Sequence, residues 1–149
     1  MKFVFFSGNR AEIDILFNII EGVVKDSSIF RDSLDRIVML IGGYHDQIEV
    51  TDVYRERAEG MGVELIRINR STLTFESPVQ TAITDTVTDA SEWMMKESSD
   101  CVVCIYADRS ESFGAAIAAF TCGIPIIHIE GGEITCGGTF DDRFRHAIS

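Results

Sequence analysis

Five near-continuous apolar runs, separated by polar loops and helical patterns, constrain this chain more than any other feature. The runs are Phe3 to Phe6, Ile37 to Ile41, Val63 to Ile68, Cys101 to Tyr106 and Ile124 to Ile129. Short runs of this kind mark strands buried on both faces. Between the first two, Ile13, Phe17, Ile20 and Val24 form a helical stripe widened by Leu16, Ile19 and Val23. Asn9 and Glu12 have the spacing of a capping-box variant, so this helix should start at about Arg10. Glu49 to Gly60 is helical but weakly amphipathic, with Val53 and Ala58 as its apolar residues. Asn69 to Pro78 lacks a period and reads as a loop. Ile83, Val87, Ala90 and Met94 then recur at helical spacing to about Ser98, with Trp93 beside them as packing. An alanine-rich helix runs to Thr121, and Asp108 with Glu111 has capping-box spacing at its start.

Strands alternating with helices give an α/β fold, a parallel sheet with helices on both faces. Glu64 and Arg67 inside the third run mark a sheet edge. With that strand outermost the order is 3-2-1-4-5, a Rossmann-like sheet whose switch point lies between strands one and four. Ligands of such sheets bind at the carboxyl ends of the strands. Four loops should meet there: Ser7 to Glu12, Gly42 to His45, Tyr106 to Glu111 and Glu130 to Asp142.

A chain of 149 residues is one domain in size and needs no disulfide staples. No apolar run approaches the roughly 20 residues that span a bilayer, and the first is too brief for a signal-peptide core. A formal charge of −11 argues against nucleic acid as a partner. Any phosphate ligand must therefore meet a local cluster of arginines. Cys101 and Cys104 form a CxxC, but within a strand they point to opposite faces, and a redox CxxC should open a helix. The four cysteines read as buried reduced thiols of a cytoplasmic protein.

The four loops supply Arg10, His45, Asp108, Arg109, Glu130, Glu133, Asp141, Asp142 and Arg143, with Arg145 and His146 a turn further on. Carboxylates beside arginines and a histidine can move protons near a phosphorylated substrate. The helix start after the first glycine turn offers amide groups to an anion. Plain structural readings stand beside these. Asp108 suits a helix cap, Arg10 a solvated first turn, Asp141 and Asp142 an acidic first turn with Thr139 at cap spacing, and His128 a hydrogen-bonded core position. Glu130 resists such a reading, because a carboxylate directly after a buried strand needs a partner. SGNRAE carries one glycine, so the GxGxxG fingerprint is absent after the first strand, and no GxxxxGK[ST] occurs.

Gly8 to Glu12, Tyr106 to Arg109, HIEGGE at His128 to Glu133, Asp141, Asp142 and RHAIS at Arg145 to Ser149 together resemble the UDP-N-acetylglucosamine 2-epimerases, nearest to their hydrolysing branch. The resemblance runs through the whole chain in order. It implies the first half of a glycosyltransferase B-type fold, with the active site between two Rossmann-like domains. It also implies elimination of UDP to a 2-acetamidoglucal, followed by hydration to N-acetylmannosamine, with no metal or cofactor. Arg10 would contact the nucleotide phosphates. Asp108 and Glu130 would be acid/base carboxylates, and Asp142, or else Asp141, a third. His45, Arg109, Glu133, Arg145 and His146 would bind substrate, a UDP-N-acetylhexosamine. A cytoplasmic homo-oligomer is expected. Tyr106 and Ala107 stand where the family usually has His-Gly, Asn9 replaces a threonine or serine, and Gly137 and Gly138 lengthen a loop.

On this reading residues 1–149 are the N-terminal domain, incomplete at its C-terminal end, and inactive without a second nucleotide-binding domain. A stand-alone binding or dimerisation module, or a domain of a glycosyltransferase of the same fold, is the alternative.

Overall fold

The computed structural model describes residues 1–26, 36–45, 49–68, 73–74, 76–97, 100–134, 136 and 138–149, with 49–53 as backbone only. Most of the expected loop at 69–72 and 75, the helix limit at Ser98, the side chain of Val53, and Gly137 lie outside the described residues. The elements are β1 (Lys2–Ser7), α1 (Arg10–Lys25), β2 (Arg36–Ile41), α2 (Glu49–Gly60), β3 (Val63–Arg67), α3 (Val79–Glu97), β4 (Cys101–Tyr106), α4 (Ser110–Thr121), β5 (Ile126–Ile129) and α5 (Asp142–Ile148). All neighbouring strands pair in parallel, in the order β3-β2-β1-β4-β5. The switch point therefore falls between β1 and β4, as expected.

Period-2 alternation divides the strands between two cores. Val4, Phe6, Val38, Leu40, Val103 and Ile105 pack against Ala90 and Met94 of α3 and the alanines of α4. Phe5, Ile37, Met39, Ile41 and Cys104 face the other way, onto Ile13, Leu16, Phe17 and Ile20 of α1 and Ala58 of α2. Helices thus cover both faces. Phe17 stacks on Tyr54 with ring centroids 5.3 Å apart, and the Arg57 guanidinium lies 5.1 Å from the Phe17 ring, fastening α1 to α2. Among the described residues no helix is long and apolar enough to cross a membrane.

The third strand ends at Arg67 rather than Ile68, and three further details differ from the sequence reading. The fifth strand begins at Ile126, because the Ile124 amide closes the end of α4 on the Ala119 carbonyl (2.9 Å) and Pro125 has no N–H to give. The buried stripe of α3 is Ala82, Thr86, Ala90 and Met94, whereas Ile83 and Val87 lie at its margin. Small residues there let α3 approach the alanine face of α4. The stripe of α1 ends at Ile20, with Val24 40% exposed.

Cys101 and Cys104 belong to opposite cores, as strand geometry requires. Burial pushes the Cys104 thiol up to about 12. All four cysteines are free, but Cys122 is only half-buried and Cys136 is exposed, so the expectation of four buried thiols holds for two.

Candidate active site

The described parts of the four loops meet at the carboxyl edge of the sheet, where one arginine organises the acidic residues. Arg145, in α5, pairs through Nη2 with Asp108 after β4. Through Nη1 it pairs with Asp142 Oδ1 at 3.2 Å and donates to the Glu133 carbonyl at 3.3 Å. Its Nε is buried without a hydrogen-bond partner among the described residues. Asp142 is 6% exposed and caps its own helix reciprocally: its Oδ2 accepts from the Thr139 amide at 2.8 Å, and its amide donates to the Thr139 hydroxyl at 3.4 Å. Asp141 is exposed and makes no side-chain cap bond. Asp108 does not cap α4. Arg109 holds the cap position without a side-chain bond, and the expected Asp108–Glu111 capping box is absent because Asp108 turns to Arg145.

Both strands that border this cluster end in a left-handed residue. Ala107 has φ 55° and Glu130 φ 60°, conformations that side-chain-bearing residues adopt rarely and that concentrate at functional sites. Ala107 stands where a glycine would take this conformation freely. Its amide still bonds the Ile129 carbonyl at 2.9 Å, so the turn is closed tightly on the sheet. Glu130 is exposed beside the Tyr106 hydroxyl, which it hydrogen-bonds; burial first and this carboxylate second raise the Tyr106 pKa. Glu130 thus has the partner expected from its position, Tyr106, but is not buried. His128 is hydrogen-bonded as expected, but on a half-buried edge strand. Its Nε2 donates to the Ala107 carbonyl (2.7 Å), which leaves Nδ1 to accept from the Ser149 hydroxyl (2.7 Å).

The remaining candidates occupy the rim. Arg10 is exposed in the first turn of α1, and Glu133 and His146 are exposed as well. Arg109, with Tyr44, Ser77, Val79, Ser110 and Asp141, lines a cleft of about 250 Å³. His45 is 4% exposed, placed beneath the rim. Its Nε2 lies 2.8 Å from the Ser7 hydroxyl, which donates to the Asn9 carbonyl at 3.2 Å. That leaves His45 as a neutral Nε2–H donor, with Nδ1 unpartnered among the described residues. Burial, and then the charge of Arg67, lower its pKa to about 4. The amides expected to hold an anion are largely taken: Ala11 and Glu12 donate to Asn9 Oδ1 at 2.9 and 3.3 Å, and Gly8 donates to Glu12 Oε2 at 3.0 Å.

The UDP-N-acetylglucosamine 2-epimerase family model matches residues 30–149. The chain belongs to this family. A relative from Legionella pneumophila, a UDP-N,N′-diacetylbacillosamine 2-epimerase (hydrolyzing), is 28% identical over 149 residues, covering 99% of this chain and 37% of its own length. The UDP-GlcNAc 2-epimerase of Neisseria meningitidis, solved bound to UDP-GlcNAc, superposes with a TM-score of 0.73 at 18% identity, over 100% of this chain and 38% of that one. A UGT transferase from Siraitia grosvenorii in complex with UDP shares the fold more distantly, with a TM-score of 0.56 at 14% identity over 85% of this chain. At these identities the structural likeness establishes the fold, a Rossmann-like half of glycosyltransferase B type. The chain spans about 37% of the length of the Legionella relative.

Within this epimerase fold the sequence reading missed a second pair of carboxylates. Glu12 (3% exposed) and Glu111 (0%) face each other under the switch point, although both were read as helix-start residues in capping spacing. The missed signal is that both open helices beside the same crevice. Burial, with the Glu111 charge adding to it, raises the Glu12 carboxyl from 4.5 to about 7. Between those values the folded chain holds a proton that the unfolded chain releases. The group's contribution to stability is therefore full below pH 4.5 and is lost as pH rises through 7. Glu12→Gln should remove this loss. Relative to wild type its stability should rise by roughly 2 to 3 kcal/mol between about pH 4.5 and 8. Thermal melts at the two pH values check this, and a pH-independent difference would show that Glu12 does not hold the proton.

Proposed function

We propose that this chain is the N-terminal domain of a hydrolysing UDP-N-acetylhexosamine 2-epimerase, whose site is completed by a second nucleotide-binding domain. The observation that carries the reading is the Asp108–Arg145–Asp142 cluster beside Glu130, at the sheet edge of a member of the epimerase family. The reaction needs one group to take the C2 proton while another assists departure at C1. The C1–O bond breaks with its electron pair going to UDP, and a C1–C2 double bond forms. Water then returns a proton to C2 and a hydroxyl to C1, releasing the 2-epimer as free sugar. Carboxylates held at separate points of one rim suit these transfers.

In this reading Asp108 and Glu130 are the acid/base pair. Asp142 is the third carboxylate, favoured over Asp141 because it is fixed by Arg145 and Thr139. Arg10 and Arg109 offset the diphosphate charge from the exposed rim. Glu133, His146 and Arg145 complete the substrate side, and His45 supports it from below through Ser7. Asp141, on the wall of the cleft, is the alternative third carboxylate. The free cysteines fit a cytoplasmic enzyme, and self-association belongs to the same proposal.

The substrate is UDP-N-acetylglucosamine or its N,N′-diacetylbacillosamine counterpart, the latter suggested by the name of the Legionella relative. The test is to incubate the intact gene product with each sugar nucleotide and no acceptor. Release of UDP together with the free 2-epimer supports the proposal. Release that requires an added sugar acceptor would make the protein a transferase, and binding without release would make it a non-catalytic module. Residues 1–149 alone are expected to show no turnover.

A further inference from the structure

Glu111 opens α4, a position where glutamate normally reaches into water, yet it is 0% exposed. Its side chain lies where three loops of the sheet edge converge. A Cβ on Gly8, after β1, would stand 2.0 Å from Glu111 Cγ, and one on Gly43, after β2, would stand 3.0 Å from Glu111 Cβ and Cγ. The glycines leave the space that this glutamate fills. The Tyr44 amide bonds the Gly8 carbonyl at 2.7 Å, joining the first two loops directly.

The carboxylate is bonded on both oxygens. Oε1 accepts from Asn9 Nδ2 at 3.0 Å and Arg109 Nε at 3.4 Å, and Oε2 accepts from the Ser110 hydroxyl at 2.9 Å. Asn9 in turn caps α1, and Glu12 returns the link by accepting from the Gly8 amide at 3.0 Å and from the Ser112 hydroxyl of α4 at 3.4 Å. Burying a carboxylate is costly unless such bonds repay it. One buried side chain thus ties the β1, β2 and β4 loops, and its bonds end on the turn that carries Arg10 and on Arg109 itself.

We propose that Glu111 is a positioning residue: it locks these three loops into one rim and so holds Arg10 and Arg109 where they bind the diphosphate of the substrate. The inference rests on the reading under Proposed function, since it assigns Glu111 a role in that site. Glu111 does not touch the reacting atoms. Its loss should therefore act on binding more than on the chemical step, because a contact made equally with the bound substrate and the transition state sets KM and leaves kcat unchanged.

The test uses the intact gene product with Glu111→Ala and Glu111→Gln, measuring KM and kcat for the sugar nucleotide and the calorimetric Kd for UDP. In Glu111→Ala, KM and the UDP Kd are expected to rise about tenfold or more, with kcat changed by less than about threefold. Glu111→Gln keeps an acceptor for Asn9 and should recover most of that loss. Unchanged KM and Kd in folded Glu111→Ala overturn the proposal, as does a loss confined to kcat. If Glu111→Ala does not fold, Asn9→Ala breaks the same bridge from the other side, and an unchanged UDP Kd there overturns it equally. A wild type that binds UDP but turns nothing over refutes the epimerase reading while the Kd comparison still tests Glu111. A wild type that binds neither refutes both.

Discussion

Asp108→Asn in the intact gene product is expected to lower kcat by about 10² to 10⁴-fold, the range in which a positioned acid/base group acts. The substitution is nearly isosteric and leaves an oxygen to accept from Arg145. Loss of folding should therefore be small, and the far-ultraviolet spectrum unchanged. What disappears is the capacity to exchange a proton and the charge that Arg145 balances against Asp142. Glu130→Gln should fall in the same range, although Glu130 is exposed and sits on a different strand end. Steady-state turnover checks both, and normal kcat in either removes that residue from the acid/base pair.

The largest expected effect on stability is at Gly43. Its φ is 62°, and an added Cβ would stand 2.5 Å from the Gly8 carbonyl oxygen, a backbone atom that cannot swing away. Glu111 closes the other side at 3.0 Å. Left-handed strain contributes about 1 to 2 kcal/mol and overpacking about 1 to 3 kcal/mol, so Gly43→Ala should cost roughly 3 kcal/mol or more. Chemical denaturation of the two proteins measures this. A cost under about 1 kcal/mol would mean that the β1 and β2 loops are not packed as described.

Gly43 also shows where sequence reading stops. The five apolar runs determined the strands, because burial on both sides of a parallel sheet leaves a one-dimensional trace that needs no partner to be recognised; the charges of Glu64 and Arg67 then placed the edge, and with it the order and the switch point. Asp108, Asp142 and Arg145 were all visible as candidates. Their union through one guanidinium was not, since it joins residues 37 positions apart across two loops. Glu12 and Glu111 were misread for a related reason. A glutamate in the first turn of a helix is ordinarily a solvated dipole partner; the approach of the Gly8 and Gly43 backbones from other strands encloses Glu111, and Ser112 of α4 meets Glu12. His45 looked like a loop histidine open to ligand until Ser7 and Arg67 proved to surround it. The boundary of β5 shifted because the proline was outweighed by the apolar run around it.

The central claim is that this rim takes part in removing the C2 proton of a UDP-N-acetylhexosamine and expelling UDP. The most direct measurement is turnover of the intact gene product in deuterated water, followed by mass and proton spectra of the released sugar. Elimination followed by hydration predicts one solvent deuterium at C2 of the 2-epimer for each UDP formed, and none above background with Asp108→Asn. Epimer carrying its original C2 hydrogen, or UDP released with an unepimerised sugar, would contradict the account.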